Sequence, residues 1–376
     1  MPFASFDYEP RARLVFGPGS LGRLGELAAE LVRGGGARRV LLVTDSGIRK
    51  AGHAERATRL LAESGLDVRA FDRVEENPTT RHVDAGVAVA REHRAELLVG
   101  LGGGSSMDCA KGINFLLTQG GEMRDYWGVG KATRPMLPLI AVPTTAGTGS
   151  ESQSFALISD PVTHQKMACG DPKAAARIAI LDPELTLTQP RAVAGATGID
   201  AVSHAVETLV TRKRTAFSRM LSLEAWRLLE PSLERALADP NDLDARSGML
   251  LGASLAGAAI ENSMLGATHS AANPLTARFG VVHGHAVGIL LPHVVRFNAP
   301  QAEAEYRAIA STAEALARRL ETLYASTGLP RRLGDYGVAD SDLVELSREA
   351  AAQWTARFNP RSVTEKDFVE IYRCAL

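Results

Sequence analysis

Leu97-Leu-Val-Gly-Leu-Gly-Gly-Gly-Ser-Ser-Met-Asp108 is the stretch that decides the fold of this 376-residue chain. Leu97 to Leu101 reads as a buried strand, Gly102-Gly103-Gly104-Ser105 as a tight loop, and Ser106 to Gly112 as the start of a helix. Strand, glycine loop and helix N-terminus together make an anion site. Bare backbone amides approach a pyrophosphate there, and the helix dipole favours its charge. On the N-terminal side, Arg39 to Val43 is a second apolar run ending in Thr44-Asp45, and residues 54–64 follow as a helix. Residues 66–71 then read as a strand and residues 80–93 as a helix; Leu139 to Val142 is one more strand beyond the glycines. Strands alternating with helices imply parallel βαβ units, an open sheet with helices on both faces.

The pattern changes near residue 186. From Thr188 onward the apolar residues repeat with helical period, over 198–211, 216–238, 245–264 and 302–327, and strand candidates are few. The switch predicts a nucleotide-binding α/β domain over 1–186 and a helical domain over 187–376. A chain of this length is too long for one ordinary core, so two domains are the natural expectation.

Composition removes several functions. A formal net charge of −1, with the basic residues scattered, argues against nucleic acid or an acidic membrane as partner. No run approaches the length of a membrane span. Cys109, Cys169 and Cys374 share no metal-binding or CxxC spacing, which reads as reduced thiols. Residues 1–10 carry Asp7 and Glu9 and no apolar h-region, so a soluble cytoplasmic protein is expected.

Two glycine stretches compete for a dinucleotide. Gly17-Pro-Gly-Ser-Leu-Gly22 matches GxGxxG, but Pro18 removes an amide that could face a phosphate. The loop at Gly102–Ser105 is better placed. Asp45, at the end of its strand, suits a ribose diol and would repel a 2′-phosphate, favouring NAD over NADP; Asp is also a common turn or N-cap residue. Pro143-Thr-Thr-Ala-Gly-Thr-Gly-Ser150 follows the last strand with small hydroxyls and glycines suited to wrapping a nucleotide.

The second half carries candidate metal ligands. Asp200 and His204 are four apart, so on a helix they share one face. Only nine histidines occur, and His269, His283, His285 and His293 crowd into one small-residue, apolar region. Imidazoles in such surroundings need hydrogen-bond partners or a metal. One carboxylate with two or three imidazoles suits divalent iron or zinc. Spacing alone leaves open which of the later histidines are ligands.

These residues resemble the iron-containing (group III) alcohol dehydrogenase family, a neighbour of glycerol dehydrogenases and dehydroquinate synthases. The resemblance runs through Phe16-Gly-Pro-Gly19, Glu76-Asn-Pro-Thr79, Gly102 to Lys111, Pro143 to Gly149, Ala196 to Glu207, His283-Gly284, Leu290 to His293 and Asn359-Pro-Arg361. It implies a dehydroquinate synthase-like fold, an N-terminal dinucleotide-binding α/β domain followed by an all-α metal-binding domain. By matching position, the implied metal ligands are Asp200, His204, His269 and His283. The implied cofactor residues are Asp45, Asn77, Gly102, Gly103, Gly104, Ser105, Asp108, Thr144, Thr145, Thr148 and Lys166. The implied chemistry is NAD-linked hydride transfer between a small alcohol and its aldehyde or ketone, assisted by Fe2+ or Zn2+ as Lewis acid, in a homodimer or higher homo-oligomer.

Three departures from the family pattern stand out. Asn273 lies where relatives often carry a histidine credited with relaying the alcohol proton, and a carboxamide does not titrate near neutrality. The alternative relays are ordered water, the ribose hydroxyls or His285, which stands where the family often has a small or aliphatic residue. Arg278 stands in a commonly apolar stretch, facing either an acidic substrate group or solvent. Two rival readings are a dehydroquinate-synthase-like lyase, for which the helical half is poor in lysine, and a cofactor-binding homologue without turnover.

Overall fold

A computed structural model of the chain describes residues 5–32, 38–163 and 165–376. The chain divides into two compact units. One comprises Glu9–Thr145 with Ser150–Gln189; the other comprises Ala146–Gly149 with Pro190–Leu376 and the N-terminal residues up to Tyr8.

The first unit is built on strands β1 (Arg13–Phe16), β2 (Arg39–Asp45), β3 (Asp67–Val74), β4 (Leu97–Gly102), β5 (Gly128–Val129), β6 (Leu139–Pro143), β7 (Phe155–Ser159), β8 (Lys166–Gly170) and β9 (Ile178–Leu181). Six of them form one parallel sheet in the order β1-β9-β6-β4-β2-β3. The helices of this unit are α1 (Leu24–Leu31), α2 (Ser46–Lys50), α3 (His53–Glu63), α4 (Thr80–His93) and α5 (Gly104–Gln119). Alternate residues of each apolar run face opposite layers, as the strand period demands. Leu41, Val43 and Leu98 pack with Val83, Val87 and Ile113 of α4 and α5. Val40, Leu42, Leu97 and Val99 pack with Leu24, Leu27, Ala57 and Leu61 of α1 and α3. Burial on both faces explains why these strands read as unbroken apolar runs.

Two features were not anticipated. A small second sheet, β5-β8-β7, is interleaved in the chain with the main one, its strands falling between β4 and β9. The Gly17–Gly22 turn is closed from within: Asp182 accepts the Gly19 and Leu21 amides, each at 3.0 Å, so those donors are already taken.

The second unit is helical: α6 (Arg191–Val210), α7 (Ala216–Ala238), α8 (Leu243–Ser263), α9 (Ala267–Phe279), α10 (His283–Tyr306), α11 (Ala313–Ser326), α12 (Leu343–Ala352) and α13 (Glu365–Ala375). The single helix expected over 302–327 is two helices. Thr312 breaks it: its hydroxyl accepts the Ala315 amide at 3.0 Å as an N-cap, and Glu303 accepts the Ala313 amide at 3.1 Å. Those bonds give a new helix start its satisfied donors. Among the described residues no helix is long and apolar enough to cross a membrane.

Candidate active site

In the sheet unit, the ends of β2, β4 and β6 bring together Asp45, the glycine loop, Thr144 and Thr145. Gly102 has φ +147°, and a Cβ there would stand 2.5 Å from Ser106 Oγ and 3.2 Å from Asp45 Oδ2, so only glycine fits. Helix α5 starts directly after Gly103 with no side-chain cap, which leaves its first amides open to an anion. Of the two roles considered for Asp45, the geometry shows the cap and leaves the second oxygen beside the glycine loop. Oδ1 accepts the Gly47 and Ile48 amides at 2.8 and 3.0 Å, capping α2, while Oδ2 faces Ser106 Oγ at 3.3 Å beside the glycine loop. The Thr144 amide binds the Gly102 carbonyl at 2.9 Å, and Thr145 lies over Gly103, so the loop after β6 starts against the glycine loop. Asn77 sits at the β3–α4 turn with φ +52°, the left-handed conformation that Asn tolerates better than most residues.

Asp108 faces inward. It accepts from Ser150 Oγ at 2.7 Å and lies 3.9 Å from Lys111 Nζ. Lys111, fully buried, donates to the Ser150 carbonyl at 2.6 Å, Ser150 Oγ at 2.8 Å and the Phe155 carbonyl at 2.9 Å. Burial pushes the Asp108 carboxyl above its ordinary value, opposed by Lys111, Ser150 and the more distant charge of Lys166, the first residue of β8. This buried lysine was missed from sequence, where Lys111 looks like any helical lysine.

In the helical unit, Asp200 and His204 project from one face of α6, His269 from the first turn of α9, and His283 is the first residue of α10. Gly284 lets α10 approach this closely, because a Cβ there would meet the Ala196 carbonyl of α6 at 2.0 Å. Asp200 Oδ1 lies 3.3 Å from His204 Nε2, 3.4 Å from His269 Nε2 and 3.7 Å from His283 Nε2. The His204 and His269 Nε2 atoms are 3.1 Å apart. Donors around a tetrahedral ion at ~2.1 Å stand roughly 3.4 Å from one another, so these separations fit a divalent ion. Asp200 Oδ1 is buried and makes no hydrogen bond of proper geometry, and two imidazole nitrogens face each other beside it. A cation or a proton must occupy the space between them.

The protonation of the ion-free site agrees. Burial lowers the His204 imidazole to about 4 against the pull of Asp200. Burial also opposes a charged His269, but the neighbouring carboxylates of Asp200 and Glu207 outweigh it and raise that imidazole to about 9. Asp200 is held well below the carboxylate range: burial pushes it up, and the surrounding imidazoles pull it down further. The carboxylates of Asp200 and Glu207 thus favour positive charge among these donors.

Glu207 was quoted in the α6 motif without a role. It is 3% exposed, and its Oε2 lies 2.5 Å from His269 Nδ1 while Oε1 accepts the Thr268 amide at 2.7 Å. Asn359, locked in a reciprocal amide pair with Asn298 at 2.7 and 3.1 Å, accepts the Ala267 amide at 3.2 Å. The remaining candidates lie off the donor cluster. Asn273 Nδ2 donates to Gln353 Oε1 at 3.2 Å, and His285 Nδ1 lies 2.6 Å from Tyr336 Oη. Arg278 points to solvent, paired with Glu345 and Glu349.

The profile described as iron-containing alcohol dehydrogenase matches residues 10–183, and that of the C-terminal part of the same family matches residues 194–376. The chain belongs to the iron-containing alcohol dehydrogenase family. Alcohol dehydrogenase 4 of Schizosaccharomyces pombe is 35% identical over all of this chain and 90% of its own length. The NAD-dependent methanol dehydrogenase of Bacillus methanolicus is 33% identical over 96% of this chain and 97% of its own. The crystal structure of a 1,3-propanediol oxidoreductase superposes with a TM-score of 0.94 at 33% identity, covering 99% of this chain and all of that one. As an iron-containing alcohol dehydrogenase, the chain is an oxidoreductase acting on CH–OH groups with NAD and a divalent metal.

Proposed function

We propose that this chain interconverts a short primary alcohol or diol and its aldehyde, with the metal held by Asp200, His204, His269 and His283 and NAD held by the ends of β2, β4 and β6. The observation that carries the reading is that the His204, His269 and His283 imidazoles each reach one oxygen of Asp200, at 3.3, 3.4 and 3.7 Å, inside the helical unit, with Asp200, His269 and His283 grouped closely enough to hold one ion. The bound ion supplies Lewis acidity toward the alcohol oxygen, and NAD supplies the hydride acceptor.

The protein's own groups do the rest. Asp200 and the imidazoles fix the position and charge of the ion. The open amides at the start of α5 and the glycine loop bind the pyrophosphate, with Asp45 reading the ribose and Thr144, Thr145, Asn77 and Lys166 completing the part of the nucleotide site that the sheet unit supplies. Asp108 supports this site from below through Ser150 and Lys111. In this reading the sheet unit, Glu9–Thr145 with Ser150–Gln189, serves NAD and the helical unit the metal. No side chain is required as nucleophile. The alcohol proton leaves by a route other than Asn273, whose carboxamide is engaged with Gln353.

Relatives named for methanol, 1,3-propanediol and lactaldehyde support small substrates. The three unpaired cysteines support a reducing, cytoplasmic setting. The exposed edge strand β1, with Leu14 and Phe16 each 44% exposed, supports a homo-oligomer, most simply a dimer. The test is a panel of alcohols and aldehydes with NAD(H) and NADP(H), on enzyme reconstituted separately with Fe2+ and Zn2+. Metal-dependent NADH formation from a small alcohol is expected; none with either ion overturns the reading.

A further inference from the structure

The N-terminus of α9 is held in an unusual way. Its cap position is Gly266, which offers no side chain, and the acceptors come from elsewhere in the unit. Asn359 takes the Ala267 amide and Glu207 takes the Thr268 amide. One carboxylate oxygen is enough for that capping. Glu207 uses its second oxygen on the Nδ1 edge of His269, the very next residue, at 2.5 Å.

That second bond has a chemical consequence. An ionised carboxylate only accepts, so the proton between Glu207 and His269 resides on Nδ1. A neutral imidazole with Nδ1–H carries its lone pair on Nε2, the atom 3.4 Å from Asp200 Oδ1 and 3.1 Å from His204 Nε2. The opposite tautomer would aim N–H at the position an ion must occupy. Helix α6 therefore delivers Asp200, His204 and Glu207 from successive turns of one face.

We propose that Glu207 is a positioning residue for the metal: it fixes the tautomer and ring orientation of His269 and raises that ligand's basicity. The assignment rests on the metal-site reading above. A carboxylate behind a ligating histidine is worth about 10- to 100-fold in metal affinity. A purely structural cap would be worth nothing in metal affinity once the helix is formed.

The substitution Glu207→Gln separates the two roles. Glutamine keeps one acceptor oxygen for the Thr268 amide, but it cannot also accept from His269 Nδ1. Wild type, Glu207→Gln and the ligand variant Asp200→Ala are compared in competition with a chromophoric zinc chelator, together with the visible spectra of their Co2+ forms. We expect Glu207→Gln to bind Zn2+ about 10- to 100-fold more weakly than wild type and to show a displaced Co2+ spectrum. Equal affinity with an unchanged spectrum would overturn the role of Glu207 and leave the metal site standing. Wild type binding no better than Asp200→Ala would overturn the metal site itself. A second measurement needs no variant at Glu207. In 15N-histidine-labelled wild-type protein loaded with Zn2+, His269 should carry its proton on Nδ1, and finding it on Nε2 would overturn the proposal.

Discussion

Asp45 Oδ2 and Ser106 Oγ face each other across 3.3 Å, joining the end of one strand to the first turn of the helix that follows the next. This oxygen is the one proposed to read a ribose diol; the other caps α2. Asp45→Ser preserves capping chemistry, since serine is as good an N-cap as aspartate, and removes only the charge. The ratio of kcat/KM for NADP over NAD should rise at least about tenfold, because the repulsion of a 2′-phosphate is gone. Steady-state kinetics with both cofactors checks this, and an unchanged ratio would confine Asp45 to capping.

Lys111 neutralises a buried carboxylate and serves three acceptors at once. Lys111→Met keeps the length of the side chain and leaves Asp108 unopposed. The loss in stability should be about 3–5 kcal/mol, the usual cost of stranding a buried charge. It should also depend on pH. Burial already raises the Asp108 carboxyl, so the folded state holds that proton more tightly than the unfolded chain. Stability then falls as pH rises above the ordinary carboxylate range of roughly 4. Urea titrations at pH 5 and pH 8 should show the larger deficit at pH 8, and Asp108→Asn in the same background should reduce it.

Asn273 lies one turn beyond His269 on α9 and binds Gln353. Asn273→Ala removes one neutral hydrogen bond, a contribution of about 1 kcal/mol. The variant should lose less than about tenfold in kcat/KM. Its pH–rate profile should coincide with that of wild type, since a carboxamide exchanges no proton in this range. A displaced profile would bring residue 273 back into the proton path.

Cys109 and Cys169 are buried and Cys374 is exposed. Burial pushes the Cys169 thiol up to about 12, and Cys109 higher still. A thiol-disulfide reagent at pH 8 should therefore titrate one thiol per native chain, and three after denaturation. More than one fast-reacting thiol in the native protein would contradict this packing.

Local features were legible in the sequence. The run into Gly102-Gly103-Gly104 announced strand, loop and helix because all three lie within a dozen residues and each has its own chemistry. Asp200 and His204 announced a pair because helical spacing alone brings them together. Spacing could not select His269 and His283, which reach the cluster from two other helices; family resemblance selected them. Glu207 and Lys111 were invisible as working groups because their partners, His269 and Ser150, are distant in sequence. The break before Thr312 was hidden by apolar periodicity that continues across it. The sheet β5-β8-β7 was hidden by strands of two to five residues, too short for a period to show.

The pairing of β1 with β9 bears on how the chain comes off the ribosome. The Gly19 amide finds its acceptor in Asp182, 163 residues later, and among the described residues β1 pairs with β9 alone. At roughly 5–20 residues per second, the first strand emerges on the order of ten to thirty seconds before its neighbour exists. Throughout that interval the strand partner of Leu14, Val15 and Phe16 does not yet exist, so this apolar segment stays exposed until β9 is made.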